Sequence, residues 1–499
     1  MQVAVVRRIA LAWVFVVLMI VPVTAQDYRS DIGYTKLSAE QGANLPTGLN
    51  VPVTQVEADL SNGSDKYEFV PDTTDSQFAG KFFTVHNTSP SPKTSSHATT
   101  VGEFFYGGTS NISGSSMSPG VGTIDSYEAD YWIQGEFLNL NQTNVAPLST
   151  VDRVANHSYV GAYGTVALNT DALSRMDYVI QHDNFINVVA VNPNSNPNSP
   201  GPTALFAGSF NAIKVGLTDG AVAIGTISES GIYVNIRAGP DIVAPEADTS
   251  YASPIVASAA TLLVQYAHQN TSLSTGTVTR RTGGPLEYAE TSDVIKAALM
   301  AGADRSTNNS STTANITNYG ASTFSTSNNL DLRYGAGQVN VYNSYHIIAG
   351  GQQAPNTTIG QYGFDYQPAV ASNVSNLYRF TGMTGLKATL AWDAHVDNSE
   401  SASIANFVLT LLQVNPDNST TQIETSAGTT DSTQNLFLLN LIPSDVYEMQ
   451  VTRTDSLGNW EYGLAWQLVP EPGVAVMAML FFLPAMRPAR RARRQDYGN

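Results

Sequence analysis

Ser250 is the residue that its neighbours place best for nucleophilic chemistry. It follows Asp241-Ile242-Val243-Ala244-Pro245, a short apolar strand stopped by a proline, and then a turn of small residues. Beyond it Ile255, Ala259, Leu262, Leu263 and Tyr266 recur at helical spacing, and Pro254 is expected in the first helical turn, where a missing N–H is tolerated. The pattern predicts Ser250 just ahead of a helix N-terminus, where free N–H groups and the helix dipole favour developing negative charge. A hydroxyl there can attack an acyl carbon. Serine ahead of a helix is also an ordinary capping residue, so the chemistry depends on which other side chains the fold brings to it.

The two runs Asp241-Ile242-Val243-Ala244-Pro245 and Thr249-Ser250-Tyr251-Ala252-Ser253-Pro254-Ile255-Val256-Ala257 together resemble the nucleophile segment of the subtilisin-like serine peptidases. Asp248 stands where that family has a glycine before Thr-Ser, Ile255 where it has a histidine, and Ser258 where it has a glycine. The resemblance implies a general base in Ser96-His97-Ala98-Thr99-Thr100-Val101-Gly102, namely His97, followed by Phe104, Phe105 and Tyr106 to bury a helix face. It implies a triad acid at the end of a first strand, in Val53-Thr54-Gln55-Val56-Glu57-Ala58-Asp59, with Glu57 favoured over Asp59. Ile186-Asn187-Val188-Val189-Ala190-Val191-Asn192 resembles the family strand whose terminal asparagine donates to the oxyanion, so Asn192 is expected there with Asn194 as the alternative. Asn156-His157-Ser158-Tyr159-Val160-Gly161 resembles the edge strand that pairs with the substrate backbone, making Ser158, Tyr159, Val160 and Gly161 expected substrate-binding residues. Ser110 and Ser118 sit among similar letters, but no apolar helix follows them, and they read as loop.

These residues need elements to hold them. Alternating strand and helix patterns between about 50 and 300 predict a parallel sheet with helices on both faces. A strand is expected in 49–56, a polar loop in 84–96, a helix capped by Asp171, a strand within 209–219, and a helix over 292–301. Tyr334-Gly335-Ala336-Gly337-Gln338-Val339-Asn340 resembles the closing segment of the family's catalytic domain, expected to span 26–350, and the Asn/Ser/Thr-rich run 306–329 reads as an exposed loop. From 358 to 468 short alternating strands with turn residues predict an antiparallel β-sandwich or jelly roll. Leu386-Lys387-Ala388-Thr389-Leu390-Ala391-Trp392-Asp393 resembles the accessory sandwich of some subtilases. The expected fold class is thus α/β, subtilisin-like, followed by an antiparallel β-sandwich.

The chain has 499 residues, enough for several cored domains, and no cysteine, which excludes disulfide and thiol chemistry. A net charge of −17 argues against a nucleic-acid partner. Arg7 and Arg8, the apolar run 9–21 and Val23-Thr24-Ala25 read as a signal peptide over 1–25. Pro470-Glu471-Pro472, an apolar run over 473–486 and Arg487, Arg490, Arg491, Arg493 and Arg494 resemble a PEP-CTERM sorting signal over 469–499. That resemblance implies export in a Gram-negative bacterium, transient contact with membrane sorting machinery, and removal of the tail. Bound calcium is implied by the family alone, without an identifiable ligand set. The expected function is an exported serine endopeptidase acting on polypeptides. The alternatives are a catalytically inactive, subtilase-like surface-binding or structural protein, and a sedolisin-type peptidase pairing serine with glutamate. Against the sedolisin reading, the carboxylates here end a strand, and His97 would have no task.

Overall fold

The computed structural model describes residues 28–59, 67–87, 91–109, 116–142, 145–192, 204–223, 226–237, 239–310 and 314–470. The signal peptide, Asn194, Ser110 and the tail beyond 470 therefore lie outside the described residues.

Seven strands form the central sheet: β1 Val53–Glu57, β2 Phe82–His86, β3 Thr123–Glu128, β4 Val154–His157, β5 Ile186–Ala190, β6 Ile213–Leu217 and β7 Ile242–Ala244. Their order across the sheet is β7-β6-β5-β4-β1-β3-β2 and every pairing is parallel. β1, β4, β5, β6 and β7 are buried along their whole length, as strands covered on both faces should be. Side chains alternate between two cores. Val53, Val154, Ile186, Val188, Ile213 and Ile242 join one, while Val56, Ala155 and Val189 join the other. The first core is filled by helix α3 (Thr249–Gln269) and the second by α2 (Val166–Asp183). The sheet thus carries helices on both faces, as expected.

Local differences from the expected elements have local causes. The polar run 84–96 contributes the exposed edge strand β2 as well as loop, because an edge strand needs no apolar face. Helix α2 starts earlier than expected, since Thr165 rather than Asp171 caps it by accepting the Leu168 N–H. Residues 156 and 157 lie inside β4, and 158–161 follow it beyond the end of the strand.

The sandwich begins at Thr357. One sheet contains β8 Thr357–Thr358, β10 Ser375–Thr381, β12 Phe407–Val414, β13 Thr420–Ser426 and β15 Val446–Arg453. The other contains β9 Tyr362–Val370, β11 Met383–Ala391, β14 Thr433–Leu438 and β16 Trp460–Pro470. All pairings are antiparallel except that of the two-residue β8 with β10. Trp392, Phe407, Tyr462 and Trp466 fill the core between the sheets. The outer face of the second sheet is not free: Phe364, Tyr366, Ala391 and Ala465 join the first core of the α/β unit. Helix α4 (Ser292–Gly302) packs here against β16, and Gly463 makes the approach possible, since a Cβ there would lie 2.8 Å from the Asp293 carbonyl carbon and the Val294 nitrogen.

A buried charge network ties the two units. Asp431 of the sandwich meets Lys214 Nζ at 3.1 Å and Arg237 Nε at 2.7 Å, and Asp241 meets Arg237 Nη2 at 2.7 Å and Lys214 Nζ at 3.4 Å. Burial alone would raise the Asp431 carboxyl, but the charges of Lys214, Arg237 and Lys296 drive it well below the carboxylate range. Removing one member of such a network strands the opposite charge in a dry interior. Asp431→Ala should therefore lower the unfolding free energy by about 3–5 kcal/mol, read as a fall in the urea midpoint. A loss below about 1 kcal/mol would mean that water reaches the network.

Candidate active site

The expected base and acid meet. His97 is the second residue of helix α1 (Ser96–Tyr106), whose start is capped by Ser95 accepting the Ala98 N–H. Glu57 ends β1, and its Oε2 lies 2.9 Å from His97 Nδ1. Its other oxygen accepts from Gln55 Nε2 at 2.9 Å. Gln55 is fixed in turn, with its carbonyl accepting from the Tyr106 hydroxyl at 2.5 Å and its amide donating to the Ala98 carbonyl at 2.8 Å. Both Glu57 oxygens thus face donors, which suits a carboxylate holding a neutral imidazole with its proton on Nδ1. Asp59 is used elsewhere, accepting the Tyr67 and Glu68 N–H groups. Of the two expected acids, Glu57 is the one beside His97.

Burial sets the electrostatics. The Glu57 side chain is 1% exposed and its carboxyl is pushed up by burial, partly offset by His97 and Gln55. Burial pulls the His97 imidazole down, but the hydrogen bond and charge of Glu57, with the charge of Asp248, more than reverse this and hold it above its ordinary value. His157 behaves oppositely. It is fully buried, and its nitrogens meet the Tyr159 hydroxyl and Asn187 Oδ1. Burial pulls it down to about 4, which makes it a weaker base than His97.

Ser250 lies on the same edge, where α3 begins; the ring of the next residue, Tyr251, is 5.7 Å from that of His97. The helix starts at Thr249, two residues earlier than expected. Asp248 is the N-cap, Ser250 is the second helical residue, and Pro254 falls in the second turn rather than the first. The reason is the aspartate itself: its Oδ1 accepts the Ser250 N–H at 2.9 Å, and its carbonyl accepts from Tyr251 and Ala252. Pro254 has no N–H to offer the Ser250 carbonyl four residues back. Ser158 Oγ donates to that carbonyl instead, at 2.7 Å. A relay holds Ser158 in place: Ser253 Oγ donates to Asn156 Oδ1, and Asn156 Nδ2 donates to Ser158 Oγ. The Ser250 hydroxyl points to the Ser158 carbonyl at 3.5 Å, and no hydrogen bond joins it to His97 among the described residues.

Asn192 follows β5 by two residues, at the same carboxyl end of the sheet, and its carbonyl accepts the Ala223 N–H. Tyr159, Val160 and Gly161 line a cavity of about 250 Å³ with Ala58, Leu205 and Phe206. Ser158 is not part of that wall; its hydroxyl bonds to the Ser250 carbonyl and accepts from Asn156. Among the described residues no group of three or more His, Asp or Glu side chains is arranged to hold a metal ion.

No family model matches the chain, and no curated protein matches it. Solved structures similar to it include proteases and, over about a quarter of the chain, a mitogen and a carbohydrate-binding module. The self-cleaved protease domain of PatA is 16% identical over 61% of this chain and 98% of its own, with a TM-score of 0.35. The MycP3 protease from the type VII (ESX-3) secretion system is 14% identical over 62% of this chain and 86% of its own, with a TM-score of 0.33. Tripeptidyl peptidase 2 is 11% identical over 77% of this chain and 41% of its own, with a TM-score of 0.32. At these identities the chemistry rests on the geometry of the chain itself.

Sequence reasoning missed three supports: Asp248 as the cap on Ser250, Gln55 behind Glu57, and the Ser158 hydroxyl on the Ser250 carbonyl. The first two had signals. Aspartate two residues before a helical N–H is a preferred cap, and Gln55 lies two residues from Glu57 on one face of its strand.

If His97 must be neutral to accept a proton, the rate should rise with pH through a single ionisation above 6.5, the ordinary histidine value that Glu57 and Asp248 lift. Glu57→Gln removes the largest raising influence, so the inflection should move to lower pH. The plateau kcat should fall on the order of 10⁴, with thermal stability largely kept. An inflection that does not move would detach Glu57 from His97.

Proposed function

We infer that this chain is an exported subtilisin-like serine endopeptidase. The observation that carries the reading is the 2.9 Å pairing of buried Glu57 with His97 at the carboxyl edge of a parallel sheet, beside the helix whose second residue is Ser250. Ser250 Oγ attacks the scissile carbonyl and His97 Nε2 takes its proton. Glu57 keeps the imidazole in the Nδ1–H tautomer and stabilises the imidazolium, which then protonates the leaving amine. The oxyanion is held by the Ser250 N–H and Asn192. An extended peptide lies along 158–161 with one side chain in the adjoining cavity. The glutamate ends a strand and serves a histidine, which fits a subtilisin-like arrangement better than a sedolisin-like one. The tail beyond 470 is recognised by membrane sorting machinery and removed.

One observation favours the inactive alternative. The Ser250 hydroxyl is turned to the Ser158 carbonyl instead of His97. A turn about χ1 is a small step between staggered wells, and a fluorophosphonate probe distinguishes the two readings. Purified protein should label, and Ser250→Ala should abolish both labelling and peptide hydrolysis without unfolding. Ser118→Ala should still label, because Ser118 is fully buried and bonded to the Phe105 carbonyl and Ser258. Absence of labelling in the wild-type protein would favour the inactive reading. Mass spectrometry of exported protein from its native host should find a C-terminus near 470; an intact Asn499 on extracellular material would remove the sorting assignment.

A further inference from the structure

A serine at the second position of a helix has its own N–H as the nearest donor to any oxyanion that its hydroxyl creates. When Oγ bonds to a carbonyl carbon, the carbonyl electron pair moves to oxygen and the hydroxyl proton moves to the base. The new anion then sits over the start of the helix, where free N–H groups are the only donors the backbone supplies. In this structure the Ser250 N–H is not free, because Asp248 Oδ1 accepts it at 2.9 Å. The Asp248 backbone is extended, φ −138° and ψ 141°, and folds its carboxylate back onto the helix. It thus puts a carboxylate on the donor that the reaction needs.

Two further observations give this contact a direction. Ser250 is held at all three of its polar groups: its N–H by Asp248, its carbonyl by Ser158 Oγ, and its hydroxyl toward the Ser158 carbonyl. Asp248 also acts on His97, whose imidazole its charge helps to raise, and the groups facing this corner are otherwise Glu57, Glu246 and Tyr251. Once His97 has taken the serine proton, it becomes the one cation near Asp248 among these five groups.

We propose that Asp248 is a latch on the nucleophile, holding the Ser250 N–H at rest and giving it up to the oxyanion only when the carboxylate swings toward protonated His97. The resting protein is consequently a slow acylator. Asp248 touches no substrate in this account; it is a positioning residue, and the proposal rests on Ser250 being the nucleophile.

The test separates the cap from the charge. Glycine is a tolerated N-cap that loses only a few tenths of a kcal/mol against aspartate, so Asp248→Gly should fold while freeing the N–H. Asp248→Asn keeps a cap acceptor on Ser250 but removes the charge that opposes the oxyanion. In a fluorophosphonate reaction Ser250 Oγ bonds to phosphorus, fluoride leaves, and His97 takes the proton. The labelling rate constant should rise on the order of 10²-fold in Asp248→Gly, the scale of one oxyanion donor gained. Asp248→Asn should lie between that and the wild type. Amide hydrogen exchange supplies a readout independent of activity: the Ser250 N–H should be protected in the wild type and exchange faster in Asp248→Gly. Equal or slower labelling of Asp248→Gly, with the wild type still labelling at Ser250, would overturn the latch and leave the peptidase reading standing. No labelling in either protein would overturn both. If the glycine variant fails to fold, Asp248→Asn labelling no faster than the wild type overturns the latch by itself.

Discussion

The burial of helix α3 is the constraint to which the rest of the structure answers. From Ala252 to Val264 every residue is buried, a pattern seen when a helix runs through a core instead of over it. Small residues let neighbours come close, with Ala252, Ala257, Ala259 and Ala260 against the sheet and its flanking helices. Each polar residue on the helix has to find a partner, because an unpaired polar group costs about 1–3 kcal/mol in such a place. Ser253 finds Asn156, and Ser258 accepts the Met117 N–H and meets Ser118. Gln265 Oε1 accepts three successive N–H groups, from Thr47, Gly48 and Leu49. These bonds draw loops from distant parts of the chain onto one helix. Ile255 and Ser258, which depart from the resembled motif, are explained by packing: one fills the core, and the other holds the 116–118 loop.

α3 is buried from Ala252 to Gln265, and its first turn reaches the carboxyl edge of the sheet, which is where parallel α/β sheets present their ligands. β1, β4 and β5 end at that edge, bringing Glu57, the 158–161 segment and Asn192 to it. The sandwich acts from the other side. It closes the face over α4, lends Ala391 and Ala465 to the first core, and locks the junction through Asp431. Three cations and two carboxylates without water would be a costly arrangement if any were left over; here each has a partner of opposite sign within 4 Å.

Legibility followed the strength of local signals. Helices α3 and α4 and most sandwich strands were readable because their apolar periodicity is sustained, whereas Glu57 was favoured over Asp59 only through the resemblance of Val53 to Val56 to a family strand. β2 and β3 were not readable. Phe82 to His86 is a short, largely exposed edge strand that runs into a stretch rich in Ser, Thr and Pro, so its apolar residues do not stand out as a buried strand. The helix start at Thr249 was misjudged by two residues because Pro254 looked like an N-terminal proline, whereas the Ser158 hydroxyl stands in for the hydrogen bond it lacks. Such compensation comes from a residue 92 positions away and leaves no trace in the neighbouring sequence.

The same local chemistry that builds the site also works against it. A helix of small and β-branched residues gains from a strong cap, and aspartate supplies one at the only position whose carboxylate reaches the second N–H. Glycine at that position would leave the helix slightly weaker and the donor open; aspartate makes the opposite trade. His97 shows a related tension. The carboxylates that hold it raise its basicity and so favour proton capture, yet they also keep it protonated to higher pH, where it has no lone pair to give. Both conflicts fall within a few residues of Ser250, while the surrounding core is consistent in packing, pairing and charge. Local rules that disagree inside an otherwise consistent fold are expected where a segment answers to a second constraint besides stability.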